Sequence, residues 1–440
     1  MGTVLRVSRI VGGAALALVL SAAPAALAQG APPAAPAPAD AAPAQVAVAE
    51  TPPQLAPPAT VAADPPPAAH PRPAAEDEEH AAYESTDHGP LKEWLHVRKG
   101  PLEIEPVVLM QVQAVPYVGS DAFIEAGDPA EKGGFRFRRA RFGFEGRLFH
   151  RIPFEITGEF NSDVTGVAQL HDAWFGYDRF QFIQAFAGAQ DVPFSRSALT
   201  GSGDSALIER PFSVRAMAPF HQLGGVLQGH LWSGALNYYA GVFNGLERND
   251  QFWLGYQENA AILGNRFDGL TYAGRLTSEP LGPMGRTMED LHHGKLRIAA
   301  GASAFYSDGG TRGVLGLGGD ILLHFRGLHV LAEFIANRST PKTQPTQPTT
   351  QTSNVTSWGA IGEAGYVILR DRLGINARFE WINANTAIKD ENDQWILTGG
   401  VSYHILHDFL KAQLDYNHRE ERYGTSLKND SLVFQVQLNL

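Results

Sequence analysis

RRARFGFEGRLFHRIPFEITGEFN, residues Arg138 to Asn161, is the stretch that decides the fold class. At period two, Ala140, Phe142, Phe144, Gly146 and Leu148 fall on one face, and Arg139, Arg141, Gly143, Glu145 and Arg147 on the other. After a short turn at Phe149–Ile152 the pattern resumes. Phe154, Ile156, Gly158 and Phe160 then oppose Glu155, Thr157, Glu159 and Asn161. Two alternating runs joined by a tight turn are a hairpin signal. The apolar face is Phe and Leu with glycines between, and the polar face is dominated by arginine. A sheet of such hairpins wraps with its apolar face toward lipid and its charges toward a wet lumen.

Composition narrows the classes. The 440 residues include 46 glycines, 18% charged residues and no cysteine. The absence of cysteine removes disulfide frameworks and thiolate chemistry together. Nine Asp/Glu and three Lys/Arg lie in residues 1–90, so −5 of the formal −11 falls on residues 91–440. No basic domain exists to neutralise phosphates, which disfavours nucleic acid as a partner. Residues 1–28 read as a cleaved signal peptide: Arg6 and Arg9 supply the positive start, Ile10–Leu20 the apolar run, and Ala26-Leu27-Ala28 the small-residue site before Gln29. The competing reading is a membrane anchor, for which the apolar run is short. No later segment has the roughly 18 continuous apolar residues of a helical span. Membrane residence therefore requires strands.

Residues 29–100 form an Ala/Pro-rich stretch with an acidic end, Glu76–Glu79. It lacks the large apolar side chains needed to offset ordering entropy and is expected to be a disordered linker. From 101 to 440 about sixteen alternating segments follow, each near the length that a tilted membrane strand needs. Ile375, Ala377, Phe379 and Trp381, for example, oppose Asn376, Arg378 and Glu380. Short connections such as Arg326-Gly327 alternate with long ones such as Thr340–Asn354. The expected fold is all-β: a transmembrane antiparallel β-barrel of about sixteen strands, with short turns at one end and long loops at the other. Two connections fit less well. Ser278–His293 is long for the short-turn end, and Asp163–Val167 is short for the other. Aromatics collect near the short turns, among them Phe149, Phe180, Phe182, Trp232 and Phe325. They suit a lipid–water girdle, although rings also favour strands in general.

The runs RFRRARFGFEGRLF (136–149), LHDAWFGY (170–177), GAQDVPFS (188–195) and LIERPF (207–212) resemble, in order, the phosphate-selective porin O and P family. The likeness is strongest over 136–225. It implies a Gram-negative outer-membrane barrel, trimeric and anion-conducting, whose loop near 191–221 folds into the lumen. The arginines matching the family's lumen arginines are Arg136, Arg138, Arg139 and Arg141 in the strand run and Arg196, Arg210 and Arg215 in the loop. Arg147 joins them by its place on the polar face. The partners implied are outer-membrane lipid and small inorganic anions, phosphate among them. No cofactor is expected.

Arginine presents a planar fork of donors and stays charged at physiological pH. Spaced along a lumen, several arginines replace part of an anion's hydration shell while still letting it leave. Glu145, Asp172 and Glu209 are expected to temper them. The bland alternative is that the arginines pair with Glu145, Glu155 and Glu159 as wall-stiffening ion pairs. Arg138 and Arg139 are adjacent and cannot share a face of a regular strand, so a bulge or strand start is needed for both to reach the lumen. A membrane-barrel enzyme or adhesin would need a clustered nucleophile and base, and none is visible; no Gly-x-Ser-x-Gly elbow exists. A secreted soluble β protein would hide these apolar faces between two sheets. His292-His293 lack ligand-spaced partners, so no metal site is expected there.

Overall fold

The computed structural model describes residues 95–440 except 122–132, 161–167, 247, 250–251, 257–268, 344–350 and 408. The expected signal peptide and most of the Ala/Pro-rich stretch lie outside the described residues. A short strand, β1 (Val97–Lys99), leads into β2 (Leu102–Val118), β3 (Gly134–Leu148), β4 (Ile152–Glu159), β5 (Gln169–Phe180) and β6 (Ile183–Asp191). Then come β7 (His221–Leu231), β8 (Leu236–Asn244), β9 (Leu270–Ser278), β10 (Arg297–Asp308), β11 (Arg312–Phe325) and β12 (Leu328–Pro341). The chain ends with β13 (Val355–Leu369), β14 (Leu373–Asn383), β15 (Gln394–Leu406), β16 (Leu410–Glu421) and β17 (Ser431–Asn439). From β2 onward each strand pairs antiparallel with the next, and β17 returns to β2 with Gln435 opposite Gln113, closing a barrel of 16 strands. Closure leaves no open edge, the condition for a sheet to sit in lipid. No helix among the described residues is long and apolar enough to cross a membrane.

Each alternating segment read from the sequence falls on one of these strands. The stretch expected to be a linker as far as residue 100 ends sooner. Val97 pairs with Ile104, and Arg98 reaches Glu103 at 2.7 Å, because Gly100 turns the chain back in the left-handed region at φ 60°. The turn at Arg326-Gly327 has both residues at positive φ, 51° and 90°, the twist that two-residue hairpins favour.

The two faces separate as the alternation demands. Phe142, Phe144, Phe160 and Phe175 point outward and are exposed, Phe175 at 62%. Ile156 on that face is covered. Gln111, Gln113, Arg139, Glu155 and Thr157 point inward and are buried. This is the reverse of a two-sheet soluble protein.

What buries them is largely the connection between β6 and β7. It carries two short helices, α1 (Arg196–Leu199) and α2 (Phe212–Met217). Val192, Phe194, Ala198, Val214, Ala216 and Met217 form an apolar cluster with wall residues Val226, Phe243, Ala273, Phe305, Ile335 and Ile361. Phe194 meets Phe305 edge-on at 4.9 Å between ring centroids, a contact worth about 0.5–1.5 kcal/mol beyond the area it buries. One side of the connection is thus bonded to the wall from β7 to β13 by ordinary core packing. Its polar side faces β2 and β3.

Candidate functional site

A bulge sets the site. Gln111 opposes Arg139 and Val112 opposes Phe137, which leaves Arg138 as the extra residue of β3. A bulge places consecutive side chains on one face, and both arginines reach the carboxylate of Glu209. Arg138 Nε donates to Oε1 at 2.6 Å and its second nitrogen to Oε2 at 3.0 Å. Arg139 stands 3.8 Å from Oε2 and donates to Gln111 Oε1 at 2.7 Å. Arg136 Nε donates to Gln113 Oε1 at 2.9 Å. Across the lumen Arg378 donates to the Glu209 carbonyl at 2.9 Å.

Burial alone would raise the Glu209 carboxyl. Arg138 and Arg139, then Arg215, outweigh it and hold the group well below the usual carboxylate range. Arg215, on α2, is lowered to about 10 by burial and by the like charges of Arg138 and Arg419, against the pull of Glu209. It stays charged at neutral pH. Arg138, Arg141 and Arg210 lie within electrostatic range of Arg139. The Glu209 carboxylate therefore faces three guanidinium groups, those of Arg138, Arg139 and Arg215, the last also within range of Glu380.

The remaining candidates divide. Arg141 pairs with Glu159 at 2.7 Å across the hairpin, one of the pairings expected on the bland reading. Arg210 donates to the carbonyls of Ser197 at 3.1 Å and Thr200 at 2.7 Å, with its guanidinium over Phe220. Arg196 bonds to Asp320 at 2.7 Å on the far wall. Arg147 pairs with Asp178 near the short-turn end. So Arg138, Arg139 and Arg215 are gathered around Glu209, Arg141 and Arg210 lie within electrostatic range of Arg139, Arg136 bonds to Gln113, and Arg147 and Arg196 are placed elsewhere.

Residues the sequence reading did not single out fix the loop. Wall carboxylates take backbone donors along it, including those at its helix starts, which have no partner within the helix. Glu333 accepts from Arg196 N at 2.9 Å and from the Ser195 hydroxyl at 2.6 Å. Glu380 accepts from Phe212 N and Ser213 N, both at 3.1 Å. Asp415 accepts from Ile208 N at 2.7 Å. The available signal was an acidic residue at an inward position on strand after strand: Asp320, Glu333, Glu363, Glu380, Asp415.

A second segment enters from the opposite end. The long connection between β9 and β10 meets the first loop, where Met288 N donates to Asp204 O and Arg286 Nε to Asp204 Oδ2, both at 2.9 Å. Glu289 accepts from Ser402 Oγ at 2.6 Å and Asn376 Nδ2 at 3.1 Å, and lies 3.0 Å from His404 Nε2. A cavity of about 420 Å³ on the long-loop side is bounded by Arg248, Trp253, Arg312, Asn337 and Asp390. Another of about 90 Å³ on the short-turn side is bounded by Arg141, Glu155, Asp204, Arg286 and Asn439. A third space, bounded by Glu209, Arg210, Glu363 and Arg378, is about 10 Å³, roughly one water-sized sphere.

Residues 120–310 match the family described as phosphate-selective porin O and P. Among solved structures the chain is similar to the outer-membrane expressed OmpT of Vibrio cholerae, with TM-score 0.51 and 9% identity over 78% of this chain and 100% of that one. It is also similar to Salmonella typhi OmpF in complex with daunomycin, with TM-score 0.51 and 8% identity over 78% of this chain and 100% of that one. At these identities the likeness is one of fold. No curated protein matches the chain.

Proposed function

We propose that this chain, a closed barrel of 16 strands whose residues 120–310 match that family, is an outer-membrane porin that lets small anions, inorganic phosphate among them, diffuse passively through an arginine-lined lumen. The fold and the matched family point to a channel rather than an enzyme. The observation that carries the anion clause is the convergence of Arg138, Arg139 and Arg215 on the carboxylate of Glu209 in the infolded loop. Low-dielectric walls focus that charge excess along the path. As the family resemblance implies, the barrel assembles as a homotrimer in outer-membrane lipid after its signal peptide is removed.

The test is a reversal potential across planar bilayers under a KCl gradient. The wild type is expected to favour chloride. A guanidinium about 8 Å from a passing anion contributes about 2 kcal/mol at an effective dielectric near 20. Arg139→Ala should therefore lower the chloride-to-potassium permeability ratio severalfold. Cation selectivity in the wild type would refute the anion clause and leave the barrel standing. Single-channel conductance in phosphate, sulfate and chloride at low salt then ranks the anions. One observation favours a second reading, a weakly selective diffusion porin: Arg138, Arg141, Arg147 and Arg196 each hold a carboxylate. A permeability ratio near one would select it.

A further inference from the structure

The root of the infolded loop holds a cluster that the arginine site does not use. In β5, Asp172 opposes Thr157 while Leu170 opposes Gly158, so His171 is the extra residue of a bulge. As at Arg138, the bulge lets two consecutive side chains face inward, and both His171 and Asp172 are buried. On the next two strands, Asp191 ends β6 and His221 begins β7, paired as neighbours across the ladder. They are the last strand residue before the loop and the first after it.

The donor atoms of these residues converge. His221 Nε2 lies 3.0 Å from Asp172 Oδ2 and 3.2 Å from Asp191 Oδ1, and His171 Nδ1 lies 3.5 Å from Asp172 Oδ2. The ligand atoms of His171, Asp172 and His221 all fall within 4.8 Å of one another. Four ligands at about 2.0–2.1 Å from a tetrahedral zinc are separated by about 3.3 Å along each edge, and the three contacts of 3.0, 3.2 and 3.5 Å lie near that value. Asp172 Oδ1 is buried and accepts no hydrogen bond among the described residues, a costly state for a carboxylate oxygen. The nearby positive charge of Arg141 is met by Glu159 at 2.7 Å, so the two aspartates remain to balance a dication.

We propose that His171, Asp172, Asp191 and His221 form a binding site for a divalent transition metal, zinc by donor set and geometry. Two imidazoles with two carboxylates suit zinc, nickel or copper; magnesium and calcium prefer all-oxygen shells. A metal here ties β5 to both ends of the loop that carries Glu209, Arg210 and Arg215, and so stiffens that loop from its base.

The experiment is zinc titration of the full mature chain, folded in detergent and stripped with chelator, followed by calorimetry and by X-ray absorption at the zinc edge. One equivalent is expected, bound through nitrogen and oxygen ligands only, and retained in millimolar magnesium. His221→Gln and His171→Gln should each weaken binding at least tenfold, while metal-free channels keep wild-type conductance. His70, His80 and His88 in the N-terminal segment could hold zinc instead. An equivalent that survives in both variants overturns the proposal, and so does the absence of a saturable equivalent in the wild type. If His221→Gln fails to fold, His171→Gln and the absorption spectrum decide alone.

Discussion

Glu209 determines how much guanidinium charge is left for a passing ion. Its carboxylate takes two hydrogen bonds from Arg138 and attracts Arg139 and Arg215. Replacing it by glutamine removes the negative charge and keeps a polar side chain in place. Glu209→Gln should therefore raise the chloride-to-potassium permeability ratio, opposite in sign to Arg139→Ala. It should also cost about 1.5–3 kcal/mol of stability, the range for a hydrogen bond to a charged group. Reversal potentials and urea midpoints of the two variants check both signs, and an unchanged ratio in Glu209→Gln removes Glu209 from the selectivity argument. Much of this site was legible in the chain. The alternation put Arg139 and Arg141 on the inner face, and the adjacency of Arg138 and Arg139 called for a bulge. What the letters could not supply was which carboxylate each arginine meets. Arg138 and Glu209 are 71 residues apart, and their meeting depends on the path of a loop without periodicity. For the same reason Arg147 and Arg196 read as members of the cluster, yet lie with Asp178 and Asp320.

At the scale of elements, strands were readable because period two is enforced by lipid on one side and water or protein on the other. The two connections that enter the lumen obey neither period. The one between β9 and β10 showed itself only as a connection too long for its end of the barrel. Glu289 accounts for that length, since the chain must travel inward to bring its carboxylate to Asn376, Ser402 and His404. Burial would raise this carboxyl, but the hydrogen bond and charge of His404, then Lys411 and Ser402, hold it down to about 2 from an ordinary 4.5. A depressed folded-state value stabilises at pH above the unfolded value and is lost as pH falls toward the folded one. The docking of this segment is thus at full strength above about pH 4.5 and fades toward pH 2, by about 3 kcal/mol at 1.36 kcal/mol per unit. Hydrogen-exchange protection of amides 280–294 should be high at pH 6 and decline at pH 3. In Glu289→Gln it should be low at both values. Equal protection of the wild-type segment at the two pH values excludes Glu289 as its anchor.

At the scale of the whole molecule, the question is which way the barrel wears its side chains. The outward faces carry Phe142, Phe144 and Phe175 in mid-strand, and the short turns carry Phe149, Phe180, Phe182 and Trp232, all exposed. Amphipathic rings sit best at the level of lipid headgroups, and plain apolar ones among the acyl chains. The depth of each position in a bilayer is therefore fixed by the fold. The chain has no cysteine, so one engineered thiol gives one unambiguous label. Trp232→Cys sits at a turn and is 76% exposed in the wild type; Phe142→Cys sits mid-strand at 41%. With a polarity-sensitive dye in reconstituted vesicles, the Trp232 position should be quenched most by nitroxide lipids labelled near the headgroup. The Phe142 position should be quenched most by those labelled near the bilayer centre. Aqueous iodide should reach neither freely. If iodide quenches the Phe142 label freely while nitroxide lipids do not, the phenylalanine face is wet, the arginine face cannot line the water path, and no selectivity argument built on Arg138 and Arg139 survives.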